Sequence, residues 1–347
     1  MTFFPIDNAH IYHALWQTLM SKYMRVDGTD FLTYETAIRE IEKLKKENEM
    51  LSLNIQELTR TNEFLVSATW REREIKTTLH NALEELKVTK QIVDAQNKNI
   101  TDSINYASRI QDAIIPKLSD IREKFKGIFI YHEAKDIVSG DFPWIFDANE
   151  HTYVAAVDCT GHGVPGAMMS LIGHLLLNDL VKQDSPDPAS LLTRLHWGVV
   201  KTLKQDGEVK HMADGMDIAL CRITPDNRLE FSGAHRPLYH VSNGTLQVYN
   251  GDRYPIGGNQ YKGKNSFSNH SIPVKPDDCI YFFSDGLTDQ FGGPAGQKIG
   301  SKRIQDILLQ NSHLDMQTQY ERLRSACEEW RGENKKIDDV LAIGIRF

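Results

Sequence analysis

Residues 31–115 contain neither Gly nor Pro, and apolar side chains recur along them with a period of 3.5. With Ile41 as heptad position a, the d positions are Leu44, Leu51, Leu58, Leu65, Glu72, Leu79, Leu86, Val93, Ile100, Ala107 and Ile114, all apolar but Glu72. The a positions are mixed, with Ile41, Ile55, Leu83 and Ile104 interrupted by Asn48, Asn62 and Asn97. Leu at d with buried Asn at a favours a parallel two-stranded coiled coil, because paired Asn fixes register and strand number. An unbroken rod of that length would extend on the order of 110–125 Å. Three successive polar seam positions, Thr69, Glu72 and Lys76, mark a weak point, either a hinge or a place where helices splay. A single helix lying on another domain is the alternative. Pro116 ends the pattern. Ahead of it, residues 1–30 form a short segment in which 11–24 has helical spacing and the role of a packing cap.

Beyond residue 125 the period changes. Short β-rich runs occur at 128–134, 153–159, 218–224, 229–233, 237–241, 279–284 and 340–347, and helix-like stretches at 164–182, 188–204, 301–309 and 317–331. Strands gathered in clusters, without strict alternation with helices, predict an α+β layered domain. The expected organisation is therefore 1–30, a coiled-coil segment at 31–116, and a folded domain at 120–347.

Composition changes this picture little. The net charge of −7 argues against a dedicated nucleic-acid binder. No apolar run approaches the ~20 residues of a bilayer span, so none is expected. Cys159, Cys221, Cys279 and Cys327 form no CxxC pair, which fits reduced thiols and a cytoplasmic protein.

The candidate chemistry lies in acids at strand ends. Asp141 stands in VSGDFPW, Asp158 in VAAVDCTGHG, Asp285 in YFFSDGLTD, and Asp338-Asp339 in KKIDDVLAIGI. A carboxylate at the end of an apolar strand is unfavourable unless solvated, hydrogen-bonded or bound to a cation. One such acid is a turn residue; the arrangement repeated four times predicts a hard-oxygen site suited to Mg2+ or Mn2+. The glycines of GHGVPGAMMS (Gly161, Gly163, Gly166) allow a tight turn into a helix, serving either phosphate binding at its N-terminus or close packing on a sheet.

The ordered set SGDF, VDCTGHGVPGAMMS, FFSDGLTD and DDVLAIGI resembles the PPM-type metal-dependent phosphatases, and among them the bacterial SpoIIE/RsbU branch, over about residues 125–347. The resemblance implies an αββα sandwich with two Mn2+ or Mg2+ ions in the cleft between its sheets. It implies Asp158 as the bridging carboxylate with the Cys159 carbonyl also available, and Asp285 and Asp338 as ligands of one metal. Asp141 would support the other metal, Asp339 could exchange roles with Asp338, and Asp289 would help hold a third, weaker ion. The implied reaction is metal-activated water attack on a phosphoserine or phosphothreonine, with a STAS-domain protein of a partner-switching circuit as substrate. His162 lies four residues after Asp158, so the general-acid role of a histidine in larger relatives transfers to it only as a candidate alongside a turn role. An arginine gripping phosphate near Asp141 is missing from the motif, and Lys135 is the nearest cation. A homodimer through the coil, regulating the catalytic domain, completes the expectation. The competing readings are a non-catalytic docking protein on a degenerate phosphatase fold, which would be expected to lack one of the acids, and a sensor kinase, for which no glycine-rich nucleotide box is present.

Overall fold

The structure is a computed structural model that describes residues 13–14, 16–18, 21, 31–115, 125–205, 214–226, 228–258 and 266–347. The expected helix at 11–24 and the helix breaker Pro116 therefore fall largely or wholly outside the described residues. The chain divides into two compact units, 1–94 and 95–347.

Helix α1 (Phe31–Ile114) begins in the first unit and ends in the second. With no Gly or Pro to interrupt its hydrogen-bond ladder, it continues through Thr69, Glu72 and Lys76, so the polar seam positions do not break the backbone. Within the first unit the d residues Leu51, Leu58, Leu65, Leu79 and Leu86 are all exposed, Leu58 to 68%. In the second unit Ile104, Ser108, Gln111 and Ile114 are half-buried.

The rest of the second unit is a layered domain. Its strands are β1 (Gly127–Glu133), β2 (Phe142–Ala148), β3 (His151–Cys159), β4 (Gly215–Ile223), β5 (Arg228–Ala234), β6 (Leu238–Ser242), β7 (Thr245–Tyr249), β8 (Ile256–Gly257), β9 (His270–Pro273), β10 (Cys279–Phe283), β11 (Phe291–Gly292), β12 (Gln297–Lys298) and β13 (Val340–Arg346). Helices α2 (Gly163–Asp184), α3 (Pro188–Thr202), α4 (Asp285–Asp289), α5 (Gly300–Asn311) and α6 (Met316–Arg331) connect them. One sheet runs β1-β13-β10-β6-β7 and the other β2-β3-β4-β5-β9, with β8 on β4; a two-residue pair joins β11 to β12. Strands β2, β7 and β9, like the two-residue β8, β11 and β12, have no counterpart among the runs expected from the sequence.

Alternation along each strand builds three apolar layers. On β3, Val154 and Ala156 point into the core between the sheets, while Tyr153, Ala155 and Val157 face α2 and α3. On β10, Ile280 and Phe282 point between the sheets and Cys279, Tyr281 and Phe283 toward α5 and α6. Because both faces of these strands are covered, the buried stretches 153–157 of β3 and 279–283 of β10 are apolar on both faces, as sheets buried on both sides require. The order helix, sheet, sheet, helix is the αββα sandwich.

Asp187 and Asp315 cap α3 and α6 by accepting from Ser190 N and Thr318 N. Among the described residues, α2 is the one helix long and apolar enough to cross a membrane. Its Met169, Leu177 and Val181 are instead buried against β2 and β3.

Ile343 is fully buried between the sheets, opposite Ile130 on β1 and Phe282 on β10. Ile343→Ala is expected to lower unfolding free energy by about 2–5 kcal/mol, read as a lower urea midpoint at unchanged slope.

Candidate metal centre

Each sheet contributes the ends of its strands to one cluster of carboxylates. Asp158 lies at the end of β3, Asp285 opens α4 just after β10, and Asp338 and Asp339 precede β13. Asp141 immediately precedes β2. Close backbone approach makes the convergence possible. A Cβ on Gly286 would lie 1.8 Å from the Asp339 carbonyl oxygen, so only glycine after Asp285 lets α4 settle against the Asp338-Asp339 corner. A Cβ on Gly166 would lie 2.2 Å from Gly161 O and 3.0 Å from Gly140 Cα, so the GHGVPG turn serves close packing of α2 on the Asp141 loop.

The adjacent acids Asp338 and Asp339 differ. Asp339 is buried and its two oxygens accept from Lys135 N and Gly140 N, each at 2.7 Å. It thereby fixes the 135–140 loop. Asp338 is half-buried; one of its oxygens accepts from the following amide, and burial, reinforced by Asp285 and Asp339, raises its pKa. Asp338 lies within electrostatic reach of Asp285, and both Asp338 and Asp339 act on Asp141.

Asp141 is 3% exposed, and its Oδ2 has no hydrogen-bond partner. Burial first, then the charge of Asp158, raises its pKa well above the usual carboxylate range. An orphaned carboxylate oxygen in a buried acidic cluster is a polar group whose desolvation nothing offsets, which is the environment a bound cation relieves.

At Asp158, burial pushes the pKa up to about 7; Arg236 opposes the shift, and Asp285 and Asp217 add to it. The Cys159 thiol is buried in the core and also raised by burial, so it is no nucleophile.

Three residues absent from the sequence expectation complete the cluster. Asp217 on β4 lies directly opposite Asp158 on β3, a like-charge cross-strand pair that is unfavourable alone. Arg236, in the turn between β5 and β6, offsets it. Its Nη2 lies 2.7 Å from Asp158 Oδ2, 2.7 Å from Asp285 Oδ2 and 3.1 Å from Asp217 Oδ2. His235 Nδ1 lies 2.9 Å from the other Asp217 oxygen. The signal was present in the chain: an acid inside the apolar run GMDIALCRI and an Arg just past the strand in GAHRPL.

Other expected site residues lie apart from these contacts. His162 is the N-cap of α2, with Nδ1 2.9 Å from Asp136 and Nε2 2.9 Å from Lys135 Nζ. Asp289 pairs with Lys298 at 2.6 Å. Among the described residues no three His, Cys, Asp or Glu side chains stand arranged to hold an ion as they are, and the Arg236 guanidinium lies among the carboxylates. The orphaned Asp141 oxygen and the all-carboxylate donor set nevertheless fit hard divalent cations.

A two-sheet sandwich flanked by helices, with acids gathered at its strand ends, is the architecture of a PP2C-type phosphatase domain. The PP2C domain of SiaA from Pseudomonas aeruginosa superposes with a TM-score of 0.66 at 30% sequence identity, covering 73% of this chain and 99% of that one. The phosphatase domain of SpoIIE from Bacillus subtilis, with a fragment of its regulatory domain, matches in fold at 15% identity and TM-score 0.51, over 64% of this chain and 63% of that one. The RsbU and RsbW domains of a Mycobacterium tuberculosis protein match in fold at 16% identity and TM-score 0.50, over 64% and 60%. No curated protein sequence matched. The model of the family Stage II sporulation protein E (SpoIIE) matches residues 148–347, and the chain belongs to that family.

The raised pKa of Asp158 predicts a pH dependence. Its folded pKa of about 7 lies above the ordinary 3.8, so folding favours the protonated form. Stability from this group is complete below about pH 4 and is lost as pH rises through 7. In chelator, the unfolding free energy should fall by a few kcal/mol between pH 5 and 8, and Asp158→Asn should flatten that slope in denaturant titrations.

Proposed function

We propose that this protein is a metal-dependent serine/threonine protein phosphatase whose substrate is a phosphorylated STAS-domain-type regulatory protein. The observation that carries the reading is the convergence of Asp141, Asp158, Asp285 and Asp338 from both sheets, with a buried Asp141 oxygen unpartnered. In this reading those four acids, with the Cys159 carbonyl as a further donor, would hold two Mn2+ or Mg2+ ions. Such ions supply Lewis acidity and lower the proton affinity of water.

The chain's own residues then have distinct tasks. Asp339 keeps the 135–140 loop closed over the cluster through its two amide bonds. Lys135, bonded to His162 at the loop rim, offers positive charge to the incoming phosphate, with His162 a candidate proton donor to the departing serine or threonine oxygen. Asp289 would have to release Lys298 to serve a third, weaker ion. The STAS-type substrate follows from the resemblance to the SpoIIE and RsbU branch, as does action in the cytoplasm within a partner-switching circuit.

Residues 31–116 are proposed to dimerise the protein as a parallel coiled coil and to regulate the domain at 120–347, with 1–30 as a cap. The exposed leucine seam of α1 supports dimerisation, since apolar stripes of that length are normally covered. Support for regulation lies in Gln111, a seam residue near the end of α1. Its Nε2 donates to Ser139 O at 2.6 Å and Ser170 Oγ at 2.9 Å, and its Oε1 accepts from Ser139 N. Ser139 Oγ in turn accepts from Asp141 N. A cavity of about 160 Å³ lies beside this clamp, lined by Ile110, Ile114, Phe142, Met168 and Leu171, and leaves the helix end room to shift.

Hydrolysis of para-nitrophenyl phosphate is expected to require Mn2+ and to fall at least about 100-fold in Asp158→Asn and in Asp285→Asn, both still folded. Wild-type protein that binds metal but turns over neither this ester nor phosphoprotein would favour the docking reading. For the coil, light scattering should report a dimer that Leu58→Lys with Leu65→Lys dissociates. Gln111→Ala should leave the dimer intact yet change the Mn2+ concentration giving half-maximal turnover, and no change in it would disconnect α1 from the site.

A further inference from the structure

Arg236 is held in an unusual way. It follows His235, a non-glycine residue at φ +59°, in the left-handed region that such side chains seldom adopt. The turn is fixed by Arg236 N donating to Ala234 O at 2.7 Å and His235 N donating to Asp252 O at 2.8 Å. The His235 ring is bonded to Asp217. This constrained turn directs the Arg236 side chain back over the ends of β3 and β4.

The guanidinium does not make its preferred contact there. Arginine ordinarily meets a carboxylate with its planar fork, through two parallel N–H donors. Here a single nitrogen, Nη2, lies within 3.1 Å of oxygens from Asp158, Asp285 and Asp217. An NH2 group carries two hydrogens, so three carboxylates exceed its directed bonds. The Nε is buried with no hydrogen-bond partner. The side chain thus acts as a point cation among three anions, the coordination a small divalent ion would have. A second feature marks the same cluster as wanting a cation: Asp141, 3% exposed, has an Oδ2 without a hydrogen-bond partner.

We propose that Arg236 is a built-in counter-cation that competes with divalent metal for Asp158 and Asp285. The inference rests on the metal-dependent reading of this site. Metal binding and departure of the guanidinium from these two carboxylates are then one exchange. Asp217, anchored by His235 and already within reach of Nη2, is the partner the displaced guanidinium keeps. The exchange spares the metal-free protein the repulsion among these closely spaced carboxylates and lowers its affinity for metal.

The test uses the full chain. Mn2+ is titrated calorimetrically into wild type, Arg236→Gln and Arg236→Lys, and thermal unfolding of each is followed in chelator. Arg236→Gln is expected to unfold at lower temperature without metal and to bind Mn2+ roughly tenfold tighter or more, tenfold being about 1.4 kcal/mol. Arg236→Lys should fall between, because an ammonium also competes as a point charge. Unchanged or weaker Mn2+ affinity in a folded Arg236→Gln protein overturns the proposal. If that variant does not fold, Arg236→Lys decides: tighter binding than wild type supports competition, and equal or weaker binding overturns it. Wild-type protein that binds no Mn2+ overturns the metal reading together with this one, whereas metal binding unaffected by either variant overturns this one alone.

Discussion

The domain depends on how it tolerates several carboxylates in a place largely closed to water. Two sheets, each buried on both faces, end at the same point, and the acids at their ends are brought together by backbone geometry. Burial and mutual repulsion both oppose their ionisation, as the raised pKa values of Asp141, Asp158 and Asp338 record. Such a cluster is unfavourable unless positive charge enters it. In the structure that charge is Arg236, and the hydrogen-bonding of the rest follows from keeping the acids apart in role. Asp339 is satisfied by amides, Asp217 by His235 and Arg236, and Asp141 keeps an unpartnered oxygen.

The same logic links the site to the long helix. Asp141 is positioned by Ser139, and Ser139 is gripped on both its amide and its carbonyl by Gln111. A glutamine on a heptad seam is a poor core residue, but at the end of α1 it is a polar clamp whose geometry changes if the helix rotates or slides. The adjoining surface of α2 is apolar, with Val164, Met168 and Leu175 exposed. The loop that carries Asp141 is thus tied to the end of α1.

Much of this was legible in the chain. The heptads of 31–115 predicted a helix because nothing in them interrupts one, and its backbone continues where polar seam residues suggested a weak point. The four surface helices and seven of the strands were visible as runs of matching period. Strands β7 and β9 were not, because edge strands are short and half-exposed and carry little apolar signal. β2 was obscured by Pro143 and by the motif preceding it. The acids Asp141, Asp158, Asp285 and Asp338 were recognisable at strand ends, since each interrupts an apolar run at a glycine or another acid.

By itself the sequence determined the period of each element, the layered class of the domain and the identity of the acids, because these are set by local spacing and residue chemistry. Tertiary structure alone decided that Asp339 holds the 135–140 loop through two amides while its neighbour Asp338 does not. It alone placed Asp217 opposite Asp158, and brought Arg236 from a turn 78 residues along the chain into contact with Asp158. Those outcomes depend on strand register and on the hand of a turn, which fix where a side chain points only after the sheets have formed.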